Sequence, residues 1–245
     1  MNIMLKFCVA LVVLVHIPGS ALAAGGGVAL EPSRINVADT GSLQRGAKTF
    51  VNYCLSCHGA DYMRYQRLAD DLELTEEMVM ENLVFADAKI GDRMTVAMNP
   101  SDSERWFGKT PPNLSLIARS RGPDWLYGFL RGFYQDENGV WNNRVLPNAA
   151  MPHVMWRLQG IQVLAGGSDD EHGSGQAPYF ETLTPGTLTE AEYDETVRDL
   201  VAYLSYMAEP AQLVRKKVGV WVLLFLAVFT FLAYLLKQEY WRDIH

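Results

Sequence analysis

The chain has 245 residues, of which 49% are hydrophobic, and its formal net charge at pH 7 is −7. This length allows one sizeable buried core or two small ones. The acidic balance argues against a nucleic-acid partner, whose phosphates need a basic surface, and it would suit a positively charged protein partner.

The first predicted element is a secretory signal peptide over residues 1–23. Lys6 supplies the positive charge, residues 7–15 form an apolar run, and residues 21–23 (A-L-A) are a small-x-small cleavage pattern. An N-terminal membrane anchor is the alternative, which the shortness of the apolar run disfavours. Removal of the signal also removes Cys8, and the two cysteines that remain do not make a disulfide scaffold.

Those two cysteines belong to Cys54-x-x-Cys57-His58, the attachment motif of c-type haem. Two thiols about one helical turn apart can form thioethers with the vinyl groups along one porphyrin edge, and the next imidazole then binds the iron. A helix is predicted before the motif, because apolar residues recur there at helical spacing. These residues are Leu43, Ala47, Phe50 and Cys54.

Two other kinds of site use similar residues. A thioredoxin-like site also contains C-x-x-C but follows a strand, and no alternating pattern precedes Cys54. A zinc site would need a fourth ligand and would have to use the adjacent Cys57 and His58. The motif therefore favours one covalent haem c. A membrane-tethered thiol–disulfide exchanger is the alternative from a different class of function.

Residues 70–87 contain seven acidic residues and no lysine or arginine. This stretch is interpreted either as a solvated helix face or as a docking surface for a basic redox partner. Glycine, asparagine and proline punctuate residues 91–150, which predicts loops and short helices with a break at Gly122-Pro123. Residues 166–175 are predicted to form a flexible, glycine-rich surface loop.

A second axial ligand of the iron is expected to be a histidine or a methionine. Met151 is the favoured candidate, because Pro152 holds its loop extended and an extended loop can present a thioether to the iron. Met155, Met98 and His153 stay open as alternatives.

Two helices are predicted near the C-terminus. A capping box at Thr189 and Glu192 opens a helix that Pro210 ends. Residues 218–236 carry no charge and would span about 28 Å as a helix, which predicts a transmembrane anchor. The predicted fold is mainly α, with a haem domain over residues 24–210. A basic linker (211–217), the anchor and a short tail (237–245) follow it.

Several further segments resemble the cytochrome c1 family along the whole mature chain. Residues 111–115 (P-P-N-L-S) are similar to the family's P-P-D-L-S, with Asn113 in place of aspartate. Residues 147–152 (P-N-A-A-M-P) resemble the segment that carries the family's methionine ligand. The other similar positions are Tyr62 and Tyr65, the R-x-R pair Arg119 and Arg121, and the anchor entry at Ala208, Glu209, Pro210, Arg215, Lys216 and Gly219.

This resemblance implies a cytochrome c-like haem domain in which Met151 is the sixth ligand and Arg121 contacts a haem propionate. It implies an electron-transfer subunit of quinol–cytochrome c reductase, located beside cytochrome b in the bacterial inner membrane, with the haem domain on the periplasmic side. Electrons would arrive from a Rieske iron–sulfur protein and leave to a c-type cytochrome.

An iron bound by both His58 and Met151 has no open position. The chain is therefore expected to be a redox subunit of an oxidoreductase with no substrate chemistry of its own. A cytochrome c subunit of another oxidase or dehydrogenase is the closest alternative.

Overall fold

The computed structural model describes residues 30–96, 98–166 and 179–242. The predicted signal peptide (1–23) lies outside the described residues. So do most of the predicted glycine-rich loop and the last three residues of the predicted tail.

Helices make up most of the regular structure in these ranges, which confirms the predicted mainly α class. In chain order they are α1 (Thr40–Tyr53), α2 (Tyr65–Asp71), α3 (Glu76–Leu83), α4 (Pro100–Phe107), α5 (Ile117–Arg121), α6 (Pro123–Arg131), α7 (Trp156–Gln159), α8 (Glu190–Ala208) and α9 (Gln212–Tyr240). The strands are β1 (Ala60–Arg64), β2 (Arg93–Met94), β3 (Phe133–Gln135), β4 (Trp141–Asn143), β5 (Gly160–Ala165) and β6 (Tyr179–Pro185).

The core is organised by the crossing of α1 and α8. The predicted apolar face of α1 is buried, and its Phe50 ring lies 5.5 Å from the ring of Tyr203 on α8. Gly46 lets the two backbones approach closely, because a Cβ atom there would lie 2.1 Å from the carbonyl oxygen of Asp199. The helix predicted before the haem motif is therefore confirmed, and it is held directly against α8.

A buried carboxylate fixes the register of this crossing. Asp199 is only 5% exposed, and its side chain accepts hydrogen bonds from the Ser42 hydroxyl (2.6 Å) and from Arg45 Nε (2.6 Å). A charge taken out of water is tolerated when it is paired and hydrogen-bonded in this way. Sliding α1 along α8 would leave that charge without partners.

The capping box predicted at the start of α8 is confirmed. The Thr189 hydroxyl accepts a hydrogen bond from Glu192 N (3.3 Å), and the Glu192 carboxylate accepts one from Thr189 N (2.8 Å). The helix ends at Ala208, two residues before Pro210. The break predicted at Gly122-Pro123 is also present, between α5 and α6.

Two small sheets were not predicted. One pairs β1 with β2, and the other has the strand order β4-β3-β5-β6. In the second sheet β3 and β5 are parallel and the other pairs are antiparallel. The strand β6 is mostly exposed, so its sequence lacks the apolar alternation that marks a half-buried strand.

Helix α9 has 29 residues and is therefore about 43 Å long. Its segment Lys217–Tyr240 is long and apolar enough to cross a membrane, and its apolar side chains are exposed rather than packed in a protein core. The predicted anchor at 218–236 lies inside this segment. Because α9 begins at Gln212, most of the predicted linker is helical, and the domain boundaries themselves stay predictions.

Candidate functional site

The cysteine motif occupies the turn that follows α1. The backbone N–H groups of Cys57 and His58 both donate to the carbonyl oxygen of Cys54, at 3.0 and 2.8 Å. Cys54 is buried, whereas Cys57 and His58 are half-buried, and both thiols are free. The end of α1 thus brings two thiols and one imidazole to the same edge of the core.

The His58 ring is oriented by a carbonyl group that is far away in the sequence but close in space. Its Nδ1 atom lies 2.7 Å from the carbonyl oxygen of Pro112. Because that oxygen can only accept, Nδ1 carries the proton and Nε2 keeps a lone pair for a metal ion. Burial lowers the pKa of His58, although the Pro112 carbonyl opposes this shift. A neutral, oriented imidazole beside two free thiols fits the requirements of a covalent haem c.

Residues 111–115 pack directly on the cysteine motif. Leu114 N donates to the carbonyl oxygen of Gly59 (2.8 Å), and the Ser115 hydroxyl accepts from Tyr62 N (3.1 Å). Asn113 Oδ1 accepts from Ser115 N at 2.9 Å. An aspartate carboxylate would accept the same hydrogen bond, so the asparagine at this position preserves the turn without the charge.

The segment that carries Met151 is an irregular loop between β4 and α7, and two asparagines fix its start. Buried Asn143 donates from Nδ2 to the Phe129 carbonyl (2.8 Å) and accepts from Val145 N (2.9 Å) and Leu146 N (3.0 Å). The Asn142 side chain accepts from Asn148 N at 2.8 Å. Sequence reasoning missed this role, since the only local signal is a pair of adjacent asparagines.

The four candidates for a sixth ligand differ in burial. Met151 is half-buried and packs against the edge of the core, and Met98 is also half-buried. Met155 is enclosed in the core at 1% exposure, and His153 is 3% exposed. Met151 thus lies on a separate loop that reaches the same core as the cysteine motif, and its assignment to the iron stays a prediction.

The two arginines of the R-x-R pair have different partners. Arg119 Nη1 lies 2.8 Å from a Glu209 carboxylate oxygen, and Glu209 also pairs with Arg215 at the start of α9. The Arg121 guanidinium lies 5.0 Å from the centre of the Trp125 ring. Across residues 30–96, 98–166 and 179–242, no carboxylate forms an ion pair with Arg121, so its charge is available to an external anion.

Two observations disfavour the alternatives of a thiol–disulfide exchange site and a zinc site. Burial raises the pKa of the Cys54 thiol to about 12, whereas exchange-active cysteines have a lowered pKa because the thiolate is the nucleophile. Within the part of the chain that the structure describes, no group of three or more His, Cys, Asp or Glu side chains could hold a metal ion. A zinc site therefore lacks a ligand set there.

A C-x-x-C-H turn on a helical core, followed by an exposed apolar helix, defines the chain as a membrane-anchored c-type cytochrome. The profile of the Cytochrome C1 family matches residues 33–161 and 181–244. Cytochrome c1 of Allochromatium vinosum is 47% identical over 234 residues, which cover 93% of this chain and 95% of that protein. The chain therefore belongs to the cytochrome c1 family.

Two further relatives carry other names. The ammonia monooxygenase gamma subunit of Nitrosomonas europaea is 47% identical over 244 residues, which cover 99% of each chain. Cytochrome b/c1 of Bradyrhizobium diazoefficiens is 28% identical over 246 residues, which cover 84% of this chain and 34% of that protein.

Membership of the family confirms the predicted cofactor, one covalently bound haem c, and the predicted mainly α fold with a C-terminal membrane helix. The chain is a membrane-anchored haem subunit for electron transfer in the bc1 complex, of which cytochrome b is another subunit.

Proposed function

We propose that this chain takes electrons from a Rieske iron–sulfur protein and passes them, through its haem, to a c-type cytochrome. The haem domain would lie on the periplasmic side of the bacterial inner membrane. The observation that carries the haem site is the hydrogen bond between His58 Nδ1 and the Pro112 carbonyl, because it leaves Nε2 oriented and unprotonated beside two free thiols. Membership of the cytochrome c1 family supports the electron route.

The residues that would hold the haem come from three parts of the chain. Cys54 and Cys57 would form the thioethers, His58 and Met151 would bind the iron, and Arg121 would contact a propionate. The haem supplies a one-electron iron couple when it is bound, and methionine ligation raises its reduction potential. If His58 and Met151 both bound the iron, the site would supply electron transfer and would leave no position for oxygen or a substrate.

The protein controls the site by orientation and burial. The Pro112 carbonyl holds the His58 ring, and the packing of α1 on α8 holds the cysteine turn that follows α1. The exposed guanidinium of Arg121, stacked on Trp125, would neutralise a carboxylate at the edge of the haem.

An acidic surface on and beside α2 and α3 supports the proposal that a basic cytochrome accepts the electron. The side chains of this acidic surface are exposed except for Asp71, which pairs with Arg67 and accepts a hydrogen bond from the Tyr206 hydroxyl. The exposed acids are Asp70, Glu73, Glu76, Glu77, Glu81 and Asp87. An exposed negative surface raises the encounter rate with a basic protein.

The topology follows from the two ends of the chain. A cleaved signal peptide over residues 1–23 would export the domain 24–210, and α9 would then remain in the membrane with residues 237–245 in the cytoplasm. Arg215 and Lys217 lie on the exported side of the span in this arrangement. Positive residues there are tolerated, because long domains are translocated largely regardless of charge.

Purification of the native complex tests this function. We expect the chain to copurify with a Rieske protein and cytochrome b, and its haem to be reduced by quinol only when the Rieske protein is present. Copurification with the subunits of another oxidase or dehydrogenase would contradict the proposal. Copurification with an ammonia monooxygenase, the name carried by the Nitrosomonas relative, would also contradict it.

A further inference from the structure

The imidazole of His153 is clamped between aromatic rings on one face of the β3–β4 hairpin. It stacks on Phe133 with 4.9 Å between ring centres and an angle of 5° between ring planes. It also meets the edge of Trp141, at 5.1 Å and 75°. Phe133 and Trp141 are diagonal neighbours in the antiparallel pairing, so His153 is held by both strands at once.

The clamp is part of a continuous column of rings. Phe133 meets Phe129 at 5.1 Å, and Phe129 stacks on Trp125 at 5.0 Å. The guanidinium of Arg121 lies over the Trp125 ring, 5.0 Å from its centre. The column therefore connects His153 with α6 and α5, the rigid elements that carry the candidate propionate contact.

The His153 ring also has a polar neighbour. Its Nε2 and the Oε1 of Gln159 are both buried, and neither has a hydrogen-bond partner among the residues that the structure describes. The side chain of Gln159 is near enough to raise the pKa of His153, although burial dominates and lowers that pKa to about 4. Gln159 Nε2 in turn donates to the carbonyl oxygen of Arg131 (3.0 Å), at the end of α6.

The link from His153 to Met151 is short and stiff. Only Pro152 lies between them, and its ring fixes φ near −65° while it biases Met151 towards an extended backbone. Few rotations therefore separate the clamped imidazole from the Met151 backbone. A displacement of His153 would therefore move the Met151 backbone that carries the thioether.

We propose that His153 is a positioning residue for Met151: the stacked ring holds the backbone from which the thioether would reach the iron. This inference rests on the proposed function, in which Met151 is the sixth ligand. Asn142 and Asn143 hold the start of the loop, and His153 holds its end.

The test compares variants of the holoprotein in its native membrane complex. His153→Leu removes the imidazole ring. Phe133→Leu removes the stacking partner of that ring and leaves the loop sequence unchanged. Each should reduce the methionine–iron charge-transfer band at the red end of the spectrum by about twofold or more per haem, with a lower reduction potential, because loosely supported ligands lose their geometry. His153→Phe keeps a ring in the clamp and should restore the band.

Tyr134→Leu is the matched control. It removes an aromatic contact of the same sheet, between Tyr134 and Phe180, that lies outside the column, and it keeps the contact of Phe180 with Arg144 of the loop. The band and the potential should stay at wild-type values in this variant. The covalent haem content should be unchanged in all four variants, which separates positioning from failure to mature.

Two results would overturn the proposal. The first is a wild-type band and potential in both His153→Leu and Phe133→Leu. The second is a loss in His153→Phe as large as in His153→Leu, since the ring would then not be the part that matters. A different result would show that the proposed function is wrong in assigning Met151 as the sixth ligand: Met151→Leu would then leave the methionine–iron band intact.

Discussion

Residues 54–58 and the loop at 144–155 both supply candidate haem contacts, but they reach their positions by different means. The cysteine turn is closed by hydrogen bonds within four residues, and its orientation is set by the end of α1, which directly precedes it. The methionine loop has no regular structure and depends on residues of α6, β3 and β4, which are Phe129, Phe133, Trp141 and Asn143. The cysteine motif is therefore encoded by adjacent residues and supported by one helix and the Pro112 carbonyl, whereas the loop ligand needs partners from several elements.

The largest effect should come from the cysteine turn. Cys54→Ser combined with Cys57→Ser removes both thioethers, so we expect no haem to stay with the denatured polypeptide. Haem staining after denaturing electrophoresis measures this. The wild-type chain should keep its haem through acid–acetone extraction, and loss of the wild-type haem in that step would contradict covalent attachment.

Met151→Leu should leave the haem attached and change its electronics. We expect the methionine–iron band to disappear and the reduction potential to fall by at least about 60 mV, a tenfold change in a one-electron equilibrium. A redox titration followed by absorbance measures both. Met155→Leu is the control, because Met155 is enclosed in the core and the change conserves volume. If Met155→Leu abolished the band, Met155 would be the sixth ligand and the assignment to Met151 would be wrong.

Gly46→Ala should loosen the support of the cysteine turn through α1. The new Cβ would meet the Asp199 carbonyl at 2.1 Å and the Tyr203 Cβ at 2.7 Å. We expect a loss of about 2 kcal/mol in the free energy of unfolding, because overpacking of this size outweighs the roughly 1 kcal/mol that alanine gains in a helix. Chemical denaturation of the holoprotein measures this change.

Gly41→Ala is the matched control in the same helix. Its Cβ would make only ordinary contacts, the nearest at 3.4 Å to Asp39 Oδ1, so we expect unchanged or slightly higher stability. Equal losses in the two alanine variants would mean that the close approach of α1 to α8 is not what glycine provides at position 46.

The smallest effect should come from the acidic surface, which lies outside both the cysteine turn and the methionine loop. Glu76→Gln with Glu77→Gln should slow oxidation by a basic cytochrome c roughly threefold at low salt, with little change at high salt, because steering is screened by ions. Stopped-flow rates at several ionic strengths measure this. Glu137→Gln with Glu181→Gln removes two exposed charges elsewhere and should have no effect. Equal slowing by both pairs would indicate that only net charge matters.

The parts of the fold predicted from the sequence are those that neighbouring residues determine. The helix before Cys54, the capping box at Thr189, the break at Gly122 and the apolar span near the C-terminus all follow from local periodicity or caps. The strands β3 to β6 were missed, because the pairing partners are short and β6 is exposed.

The same division applies to the site. Spacing alone makes the cysteines and His58 candidates, but the Pro112 carbonyl that orients the imidazole is 54 residues away and has no side-chain signature. The roles of Asn143 and His153 depend on contacts that only folding brings together. Sequence could therefore name candidate ligands without naming what holds them.

The intact mass of the purified, membrane-extracted polypeptide tests the central claim most directly. The account predicts the mass of the processed polypeptide plus one haem, with the added mass on the peptide that contains Cys54 and Cys57. A chain matured in a host competent for haem ligation that carried the bare polypeptide mass would contradict it.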